Sequence, residues 1–529
     1  MPETVIDTES LRPVGPGVLL EGDPDAPAGR AVARAWQRYG MEVRGGEPAP
    51  DASPGGESAP DVYCVVAIGN EALGAPRDSA PLPRERVARV LEAMSARGFG
   101  RAVLVTDASP HIHDDADPDL AARRAADLAW WQHLAKRCAA RGVLVNTVRV
   151  GYAPFLGHEL DAAAEEELLR HLISRRPVRP AELASVLRLL ASRGFENVAG
   201  ETFPLDGGLD AGFVPMPRPA KPGKASGGRR EPEPVEADGP DPFGLGGRVL
   251  LVTGASSGIG ASIAREAAAR GADVVLVARR RPELERLAEE VRALGRRAWA
   301  LPADLSVPAR VPELIKEAWD AAGGIDGLAY AAGVVSFDGP GDNSAHRERL
   351  LALNSLSYAA ACDALVERWS GERRPGAVAA VSSLAAVSAP VANLASYGIS
   401  KAAMARYTSH LATTAARHRV RANCVLPGFV RTPMTDVTNP AFLESTLRLV
   451  PTGRMSEPGE IAAMICYLLS PAADGLTGAQ LRADGGGYSL LGLPALGGAR
   501  AADGPPTDGP PAEDPYSHTP DRDEKGGRS

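Results

Sequence analysis

A tyrosine and a lysine stand four residues apart in the run Ser396-Tyr397-Gly398-Ile399-Ser400-Lys401. On a helix, residues at this spacing lie on the same face, so the phenol and the amine can act on one reacting atom. A free tyrosine has a pKa of about 10, too high for rapid proton exchange at neutral pH, and a neighbouring ammonium group stabilises the phenolate and lowers that pKa. Such a pair is suited to moving a proton to or from a carbonyl oxygen.

A glycine-rich turn precedes this pair, in the run Thr253-Gly254-Ala255-Ser256-Ser257-Gly258-Ile259-Gly260. It follows the apolar run Val249-Leu250-Leu251-Val252, which predicts a buried parallel strand, and it opens a segment with apolar residues at helical spacing. The glycines let the backbone bend tightly and approach a pyrophosphate, while the N–H groups at the start of the next helix face the anion. The turn therefore predicts a dinucleotide site.

The order and separation of the turn and the Tyr/Lys pair resemble those of the short-chain dehydrogenase/reductase family, and within it the 3-oxoacyl-(acyl-carrier-protein) reductases, over roughly residues 244–492. Strand and helix patterns alternate through this range, as right-handed βαβ crossovers require. The resemblance implies an α/β fold with a Rossmann-like, doubly wound parallel sheet, and an oxidoreductase that uses a nicotinamide cofactor.

Four residues carry the reaction if this resemblance holds. Tyr397 is then the general acid in reduction and the base in oxidation, and Lys401 also holds the nicotinamide ribose hydroxyls. Ser383 matches the serine that hydrogen-bonds the substrate oxygen, in the manner of an oxyanion donor. Its separation from Tyr397 is slightly longer than usual, which leaves Ser382 as a rival. Asn354 matches the asparagine that connects the lysine to bulk water.

The resemblance also assigns residues to the cofactor. Val430 offers backbone hydrogen bonds to the carboxamide, Thr432 contacts the carboxamide or the phosphate, and Asp304 lies beside the adenine. A plain helix N-cap is an equally good explanation of the aspartate. The complete predicted set is Gly254, Ser256, Ser257, Gly258, Ile259, Gly260, Arg279, Asp304, Leu305, Ala332, Gly333, Asn354, Tyr397, Lys401, Pro427, Gly428, Val430 and Thr432.

The end of the second predicted strand indicates which cofactor is used. An acidic residue there would accept a hydrogen bond from the adenosine ribose and favour NAD, but this chain has Ala278 followed by Arg279, Arg280 and Arg281. An arginine pairs instead with a 2′-phosphate through charge-assisted hydrogen bonds. We therefore predict NADPH (NADP), with Arg279 as the phosphate ligand. The alternative is that these arginines only form the solvated start of a helix.

The chain departs from the family pattern after the fourth predicted strand. Tyr330-Ala331-Ala332-Gly333 stands where the family usually has Asn-Asn-Ala-Gly, so the support of the sheet and the positioning of the cofactor are open at this point. Residues 433–450 are expected to form a mobile lid over the substrate. An apolar contact surface on it is suggested by Met434, Phe442, Leu443 and Leu447.

The first half of the chain echoes the second. Asn146 and Gly151 fall where Asn423 and Gly428 fall. Two later motifs match in pairs, namely Pro180-x-Glu182 with Pro458-x-Glu460 and Asp206-Gly207-Gly208 with Asp484-Gly485-Gly486. Because the repeat is as long as a domain, it indicates tandem duplication rather than a solenoid.

The chemistry is absent from this first copy. Its turn, Gly22-Asp23-Pro24-Asp25-Ala26-Pro27, places carboxylates and donorless prolines where N–H groups should face a pyrophosphate. Leu120 and Arg124 fall near the Tyr and Lys positions. Two long helices are predicted over 84–96 and 120–140, which correspond to the subunit-pairing helices of the family. We hypothesise that the copy is a built-in partner that buries the same helix faces of the catalytic copy; the alternative is a relic that merely folds.

Composition shifts divide the chain. We predict a degenerate, non-catalytic copy over 12–214, a Pro- and Gly-rich linker over 215–243, the catalytic domain over 244–492 and a disordered tail over 493–529. The predicted fold is α/β, with two tandem Rossmann-like parallel sheets of which the N-terminal one is truncated.

Several classes of function are disfavoured. The net charge of −8 argues against nucleic-acid binding, and no apolar stretch has the strength of a membrane span. The five cysteines are scattered and no signal peptide is recognisable, which favours a reducing cytoplasm. We predict no metal, although the loop His111-x-His113-Asp114-Asp115 has the residue types of a metal cluster.

These observations predict the NADPH-dependent reduction of a carbonyl, in a β-ketoacyl or polyketide-like substrate that is a small molecule or bound to a carrier protein. The alternatives are an alcohol dehydrogenase working oxidatively and a non-catalytic scaffold or binding protein. By resemblance we expect a homo-oligomer. An acidic carrier could dock on a group of arginines that could equally be only solvated, namely Arg368, Arg373, Arg374, Arg417, Arg419 and Arg421.

Overall fold

The structure is a computed structural model of the 529-residue chain. It describes residues 15, 17–23, 25–45, 60–68, 82–107, 118–208, 241–339, 343–388, 393–436 and 440–488, without the side chains of 118–125, 171, 442 and 445. The predicted tail, most of the predicted linker and the candidate metal loop at 111–115 lie outside these residues.

The N-terminal half is an α/β unit with a six-stranded parallel sheet in the order β2-β1-β3-β4-β5-β6. Its strands are β1 (Gly17–Glu21), β2 (Glu42–Gly45), β3 (Val62–Ala67), β4 (Gly100–Thr106), β5 (Val143–Val150) and β6 (Thr202–Leu205). Its helices are α1 (Pro27–Gln37), α2 (Arg84–Arg97), α3 (Pro118–Ala139), α4 (Ala162–His171) and α5 (Pro180–Leu190).

The C-terminal half has a seven-stranded parallel sheet in the order β13-β12-β11-β10-β7-β8-β9. Its strands are β7 (Val249–Thr253), β8 (Asp273–Ala278), β9 (Ala298–Pro302), β10 (Gly327–Tyr330), β11 (Gly376–Val381), β12 (Val420–Pro427) and β13 (Gln480–Ala483). Its helices are α6 (Gly258–Ala269), α7 (Arg281–Ala293), α8 (Val311–Ala322), α9 (Ser344–Leu351), α10 (Ser357–Gly371), α11 (Ala395–Ala415), α12 (Pro440–Leu447) and α13 (Pro458–Leu469), and a π-helical segment, Ala352–Leu356, joins α9 to α10.

The two sheets have the same strand order, except that the N-terminal sheet lacks a counterpart of the edge strand β9. The prediction of two Rossmann-like sheets with a truncated first one is therefore confirmed. Apolar runs such as that of β7 are buried along their whole length because helices cover both faces of a parallel sheet. In the C-terminal sheet the strand order reverses between β7 and β10, and this switch point is where ligands bind in such folds.

The two halves belong to one compact unit and share a continuous apolar core. Helix α5 packs against the short 3-10 helix Pro471–Ala473 that follows α13, and α13 packs reciprocally against Arg193–Phe195, which follows α5. Every residue of α13 from Ile461 to Leu469 is buried. A helix that is apolar all round needs cover on every side, and here α6, the sheet of its own half and the first half together supply that cover.

This arrangement corrects the predicted surface of contact between the halves. The helices predicted to pair, α2 and α3, make their main contacts with each other and with β4 and β5 in the part of the chain that the structure describes. Helix α2 carries arginines on its outer face, whereas α5 and α13 present the longest apolar surfaces, so burial favours the latter pair. The N-terminal half does cover the C-terminal half, but through the last helix and the last strand of each.

Polar contacts join the two halves at this contact surface, which we call the seam. The Glu201 carboxylate, which is 3% exposed, accepts a hydrogen bond from Arg482 Nε at 2.7 Å and another from the Arg482 backbone N–H at 3.1 Å. Asn197 accepts from the backbone N–H of Gly485 at 3.0 Å and from Thr452 Oγ1 at 3.2 Å. Arg482 lies in the edge strand β13, where a backbone N–H would otherwise be left without a partner. The Glu201 carboxylate accepts the hydrogen bond of this N–H.

The ends of the two halves repeat the same contacts. Arg176 and Glu182 form a two-point ion pair before α5, and Arg454 and Glu460 form the same pair before α13. Both glutamates also accept the backbone N–H three residues earlier in the chain, in capping boxes. These matched pairs fit the repeat read from the sequence.

Two arginines of the predicted carrier surface are used inside the fold. Arg421 donates to the carbonyls of Leu468 at 2.8 Å and Ser470 at 3.0 Å. Arg374 forms an ion pair with Asp326 at 2.8 Å. These guanidinium groups join elements of the C-terminal half, which weakens the case for an open basic surface there. No helix among the described residues combines the length and the apolar character needed to cross a bilayer.

Candidate active site

The glycine turn joins β7 to α6 at the switch point of the sheet. Gly254 has φ of +68°, and a Cβ there would lie 2.8 Å from the Ala331 carbonyl, so the position needs glycine. A Cβ on Gly260 would lie 2.3 Å from the carbonyl oxygen of Gly254. Ser257 stands at the N-cap of α6 but its side chain does not cap the helix. The turn thus presents bare backbone and helix N–H groups, which is what a pyrophosphate requires.

An arginine lies directly over this turn. Arg280 Nη2 donates to Ser256 Oγ at 3.0 Å and to Ser257 Oγ at 2.9 Å. Arg279, the residue predicted to bind the phosphate, is exposed, and its charge helps to lower the pKa of Asp304. Strand residues alternate between the two faces of a sheet, and the exact end of β8 decides which arginine reaches the turn. The pattern of apolar residues in the sequence does not fix the last residue of β8 to within one position.

Asp304 follows β9 and is exposed. Its Oδ1 accepts the backbone N–H of Ser306 at 2.9 Å, and this hydrogen bond is the main reason why the pKa of the carboxyl is lowered. The alternative explanation, a capping role for Asp304, is therefore present, and its place beside the adenine stays a prediction. Leu305, the other residue predicted here, is buried.

The segment after β10 is held without the asparagines of the family pattern. Thr253 Oγ1 accepts the backbone N–H groups of Ala331 at 3.2 Å and Ala332 at 3.1 Å. A Cβ on Gly333 would lie 3.1 Å from Lys401 Nζ and 3.2 Å from Asn354 Oδ1. Thr253, at the head of the glycine turn, therefore supports this segment in a chain that lacks both asparagines.

Asn354 lies inside the π-helical segment and is fully buried. Its side chain accepts from Val334 N at 3.0 Å and donates to Val334 O at 3.1 Å and to Ser400 Oγ at 2.9 Å. These bonds tie the segment after β10 to the helix that holds Tyr397 and Lys401. A π-helical turn inside an α-helix is rare and is often found at functional sites.

The structure separates the two adjacent serines. Ser382 is buried and donates to the backbone carbonyl of Lys401 at 2.9 Å. Ser383 stands in extended backbone after β11 and accepts Ala385 N at 3.1 Å, and its hydroxyl acts on the Tyr397 phenol to lower that phenol's pKa. Ser383 is thus the serine placed beside the reactive tyrosine, whereas Ser382 braces the helix behind it.

Tyr397 and Lys401 lie on one face of α11. Burial raises the pKa of Tyr397, and the hydrogen bond from Ser383 opposes that rise. Lys401, only 4% exposed, donates to the Val381 carbonyl at 3.0 Å, and burial lowers its pKa from 10.5 to about 8. Among the protein's own groups, desolvation is the largest effect on the phenol; the predicted lowering of its pKa by the lysine together with an oxidised nicotinamide concerns the cofactor-bound site and stays a prediction.

The loop after β12 closes the cleft. Gly428 N donates to Ala483 O at 3.1 Å, which fixes the chain after Pro427 against the last strand. The Val430 carbonyl accepts Thr435 Oγ1 at 2.7 Å. The side chain of Thr432 faces the start of α6, since a Cβ on Gly258 would lie 3.2 Å from it. The predicted lid contains α12, and residues 437–439 and the Phe442 side chain lie outside the description.

Comparison with known proteins identifies this half. A family model described as Enoyl-(Acyl carrier protein) reductase matches residues 254–488. Oxidoreductase UcpA of Escherichia coli (strain K12) is 34% identical over 253 residues, which span 46% of this chain and 95% of that protein. The chain belongs to the short-chain dehydrogenase/reductase family. It is an oxidoreductase, and all of these matches fall on its C-terminal half.

Other relatives in the family have names that point to different substrates. The 3-oxoacyl-[acyl-carrier-protein] reductase FabG of Vibrio cholerae is 32% identical over 46% of this chain and 99% of that protein. The 3beta-hydroxysteroid dehydrogenase 1 of Eggerthella lenta is 32% identical over 46% of this chain and 94% of that protein. A crystal structure of a short-chain type dehydrogenase/reductase from Mycobacterium marinum superimposes with a TM-score of 0.45 at 29% identity, over 46% of this chain and 97% of that one.

Sequence reasoning about this short-chain dehydrogenase/reductase missed Thr253, Arg280 and Ser400. Thr253 could have been found, because it sits at the head of a turn whose backbone must be held in place. Ser400 stands inside the Tyr/Lys motif, but its link to Asn354 depends on the π-helical segment, and no periodic pattern predicts such a segment.

Proposed function

We propose that the C-terminal half catalyses the NADPH-dependent reduction of a carbonyl to an alcohol, with a β-ketoacyl or polyketide-like substrate that is free or bound to a carrier protein. The observation that supports this most directly is that Tyr397 and Lys401 lie one helical turn apart on α11, with Ser383 near enough to the phenol to oppose the rise of its pKa. A carbonyl oxygen beside both hydroxyl groups would meet a proton donor and a second hydrogen-bond donor together.

The residues of the cleft fit a dinucleotide. Gly254 and Gly260 leave no room for side chains at the turn, and the start of α6 is not capped by Ser257. Arg280 lies where a 2′-phosphate on the adenosine ribose would bring negative charge, and a guanidinium fork pairs well with phosphate. These features support NADPH over NADH. The bound nicotinamide would supply the hydride.

The chain's own groups would manage the proton. Burial raises the pKa of Tyr397, so the phenol is protonated at neutral pH and would act as the acid in reduction and, as the phenolate, as the base in oxidation. Ser383 would orient the carbonyl oxygen towards the phenol. Lys401, with a pKa of about 8, exchanges protons near neutral pH and lies one turn from the phenol to return the proton it loses.

The test is turnover with a panel of β-ketoacyl thioesters, quinones and steroid ketones, followed as NADPH oxidation. Tyr397→Phe should reduce kcat at least about a hundredfold on any accepted substrate, because the proton donor is gone. Tyr407→Phe is the matched control, since this phenol lies on the same helix but bonds Asp363 away from the cleft. Equal activity of the Tyr397→Phe variant and the wild type would falsify the proposal.

Oxidation of an alcohol is the second candidate. It uses the same residues in reverse, and the relative named as a 3beta-hydroxysteroid dehydrogenase favours it. Assaying the same panel as alcohols with NADP distinguishes the two directions through their ratios of kcat/KM.

We further propose that the N-terminal half is a degenerate copy of the same domain, which serves as a built-in, non-catalytic partner. The matched ion pairs before α5 and α13 support the duplication. Asp107, directly after β4, and His158, after the 3-10 helix that follows β5, form a buried pair 3.3 Å apart, where the described part of this half has no tyrosine and lysine pair.

A further inference from the structure

Tyr330 occupies the first position where the family pattern has an asparagine, and its environment is specific. It ends strand β10 and is completely buried. Its hydroxyl donates to the backbone carbonyl of Leu353 at 3.1 Å. Its ring packs against that of Tyr358, with 5.1 Å between the ring centroids. A buried hydroxyl is normally paired, but pairing with a carbonyl inside a π-helical segment needs an explanation.

A π-helical segment disturbs the hydrogen bonding of the helix around it. Where backbone bonds change from the α to the π pattern, the ladder is interrupted and a carbonyl must find a donor elsewhere. Leu353 lies within that segment, Ala352–Leu356, between α9 and α10. The Tyr330 hydroxyl supplies a donor to this carbonyl from the neighbouring strand, so it fixes the segment against the sheet.

The next residue along the segment is Asn354, which leads to the reactive pair. Asn354 Nδ2 donates to Ser400 Oγ at 2.9 Å, and Ser400 Oγ donates to the Tyr397 carbonyl at 2.7 Å. Ser355 Oγ, from the same segment, donates to the Ser400 carbonyl. The π-helical segment therefore grips the turn of α11 that holds Tyr397 and Lys401 at several points.

We propose that Tyr330 is a positioning residue for the reaction: its hydroxyl locks the π-helical segment in the register that lets Asn354 hold Ser400 and the Tyr397 turn. It acts from outside the cleft, through Leu353, and touches neither substrate nor cofactor. The kinetic part of this inference rests on the proposed function; the structural part does not.

Tyr330→Phe removes one hydroxyl and keeps the ring, and Tyr358→Phe is its matched control. Tyr358 is equally buried, belongs to the same ring cluster and hydrogen-bonds Thr408 Oγ1 on α11 at 2.8 Å. Each variant loses one buried hydroxyl hydrogen bond, so both should lower the Tm by a similar amount. Of these two hydroxyls, that of Tyr330 bonds the π-helical segment and that of Tyr358 bonds α11, so of the two losses we expect that of Tyr330 to change the chemistry.

For Tyr330→Phe we expect kcat to fall about ten- to a hundredfold, since a small misplacement of a reactive group has effects of this size. The KM for NADPH should stay within about twofold, and the pH–rate profile should shift by about half a unit or more, because the Tyr397 turn is no longer fixed. Tyr358→Phe should keep kcat within about twofold and leave the profile unchanged. Equal kcat values for the two variants overturn the proposal.

A second measurement does not need turnover. Amide hydrogen exchange over residues 352–356 should become faster in Tyr330→Phe than in Tyr358→Phe, which should match the wild type in this segment. Equal exchange in both variants also overturns the positioning role. If the wild type reduces no compound on the panel but the exchange difference is present, the proposed substrate class fails while the positioning of the segment stands.

Discussion

The burial of Lys401 lowers the stability of the folded protein. It is nearly completely buried, and its pKa of about 8 lies below the 10.5 of a free lysine, so the unfolded chain binds this proton more tightly than the folded one. The free energy of unfolding is therefore reduced most below pH 8. The penalty is relieved as the pH rises from about 8 towards 10.5.

Lys401→Met should therefore be inactive yet more stable than the wild type at pH 7. The pKa difference is worth on the order of 3 kcal/mol and the lost hydrogen bond to Val381 about 1 kcal/mol, so a gain of about 2 kcal/mol is expected. Urea unfolding at pH 7 and pH 9.5 measures the gap, which should shrink at the higher pH. Lys316→Met, at an exposed Asp320 ion pair, should show no such trend; a gap for Lys401→Met that is independent of pH contradicts this account.

Arg280 should determine cofactor preference. Arg280→Ala removes the guanidinium that lies over Ser256 and Ser257, and we expect kcat/KM for NADPH to fall about ten- to a hundredfold while that for NADH changes little. Arg281→Ala is the control, because Arg281 is exposed and pairs with Glu285 along α7. A larger loss with NADH than with NADPH would show that the arginine holds the turn rather than a phosphate.

At the residue scale the sequence predicted much of the candidate site. Tyr397, Lys401, Ser383 and Asn354 lie around one cleft, as the resemblance to the family implies. Which arginine lies over the glycine turn was not predictable, since one residue of strand length decides between Arg279 and Arg280. The rise that burial causes in the Tyr397 pKa was not predicted either, because burial is a property of the folded surroundings.

At the scale of elements, the seam between the halves depends on a few polar contacts beside a large apolar one. Glu201→Ala would leave the Arg482 guanidinium and its backbone N–H without their carboxylate. We expect a loss of about 2–3 kcal/mol in the free energy of unfolding, since Arg482 is partly exposed and can recover some hydration.

The control for this prediction is Glu444→Ala. Glu444 and Arg448 form an exposed pair on α12, with 70% and 71% of their side chains accessible, so removing it should cost less than about 0.5 kcal/mol. Replacing both members of the seam pair with apolar residues, as Glu201→Leu with Arg482→Met, should restore most of the stability. A double variant as unstable as Glu201→Ala would mean that the carboxylate is needed for the edge strand itself.

The elements were predicted unevenly. The buried strand β7 was predicted from its short apolar run, whereas the repeated Pro-x-Glu motifs were recognised only as a repeat and the structure shows that they form capping boxes. The π-helical segment was not predicted because its sequence, ALNSL, is ordinary for an α-helix. By analogy with the family, the contact between the halves was predicted to involve α2 and α3. In the structure it involves α5 and α13, because α13 has the larger apolar surface to bury.

At the scale of the whole molecule, the C-terminal half should not be an independent protein. Expressing residues 240–495 alone uncovers the face of α13 that α5 and its neighbours bury. We expect this fragment to aggregate or to self-associate through that face. Sedimentation velocity and NADPH turnover measure the outcome, and co-expression with residues 1–214 should restore solubility. A soluble, fully active monomer from residues 240–495 would leave the N-terminal half without the partner role.

The shared core across the seam has a consequence for how the enzyme responds to dilution. A partner joined by the same polypeptide keeps an effective concentration that no change in protein concentration can lower. Activity per molecule that depends on this contact should therefore remain constant down to the lowest assayable concentrations, where a separate subunit would dissociate. The pairing is then a fixed property of each chain rather than an equilibrium.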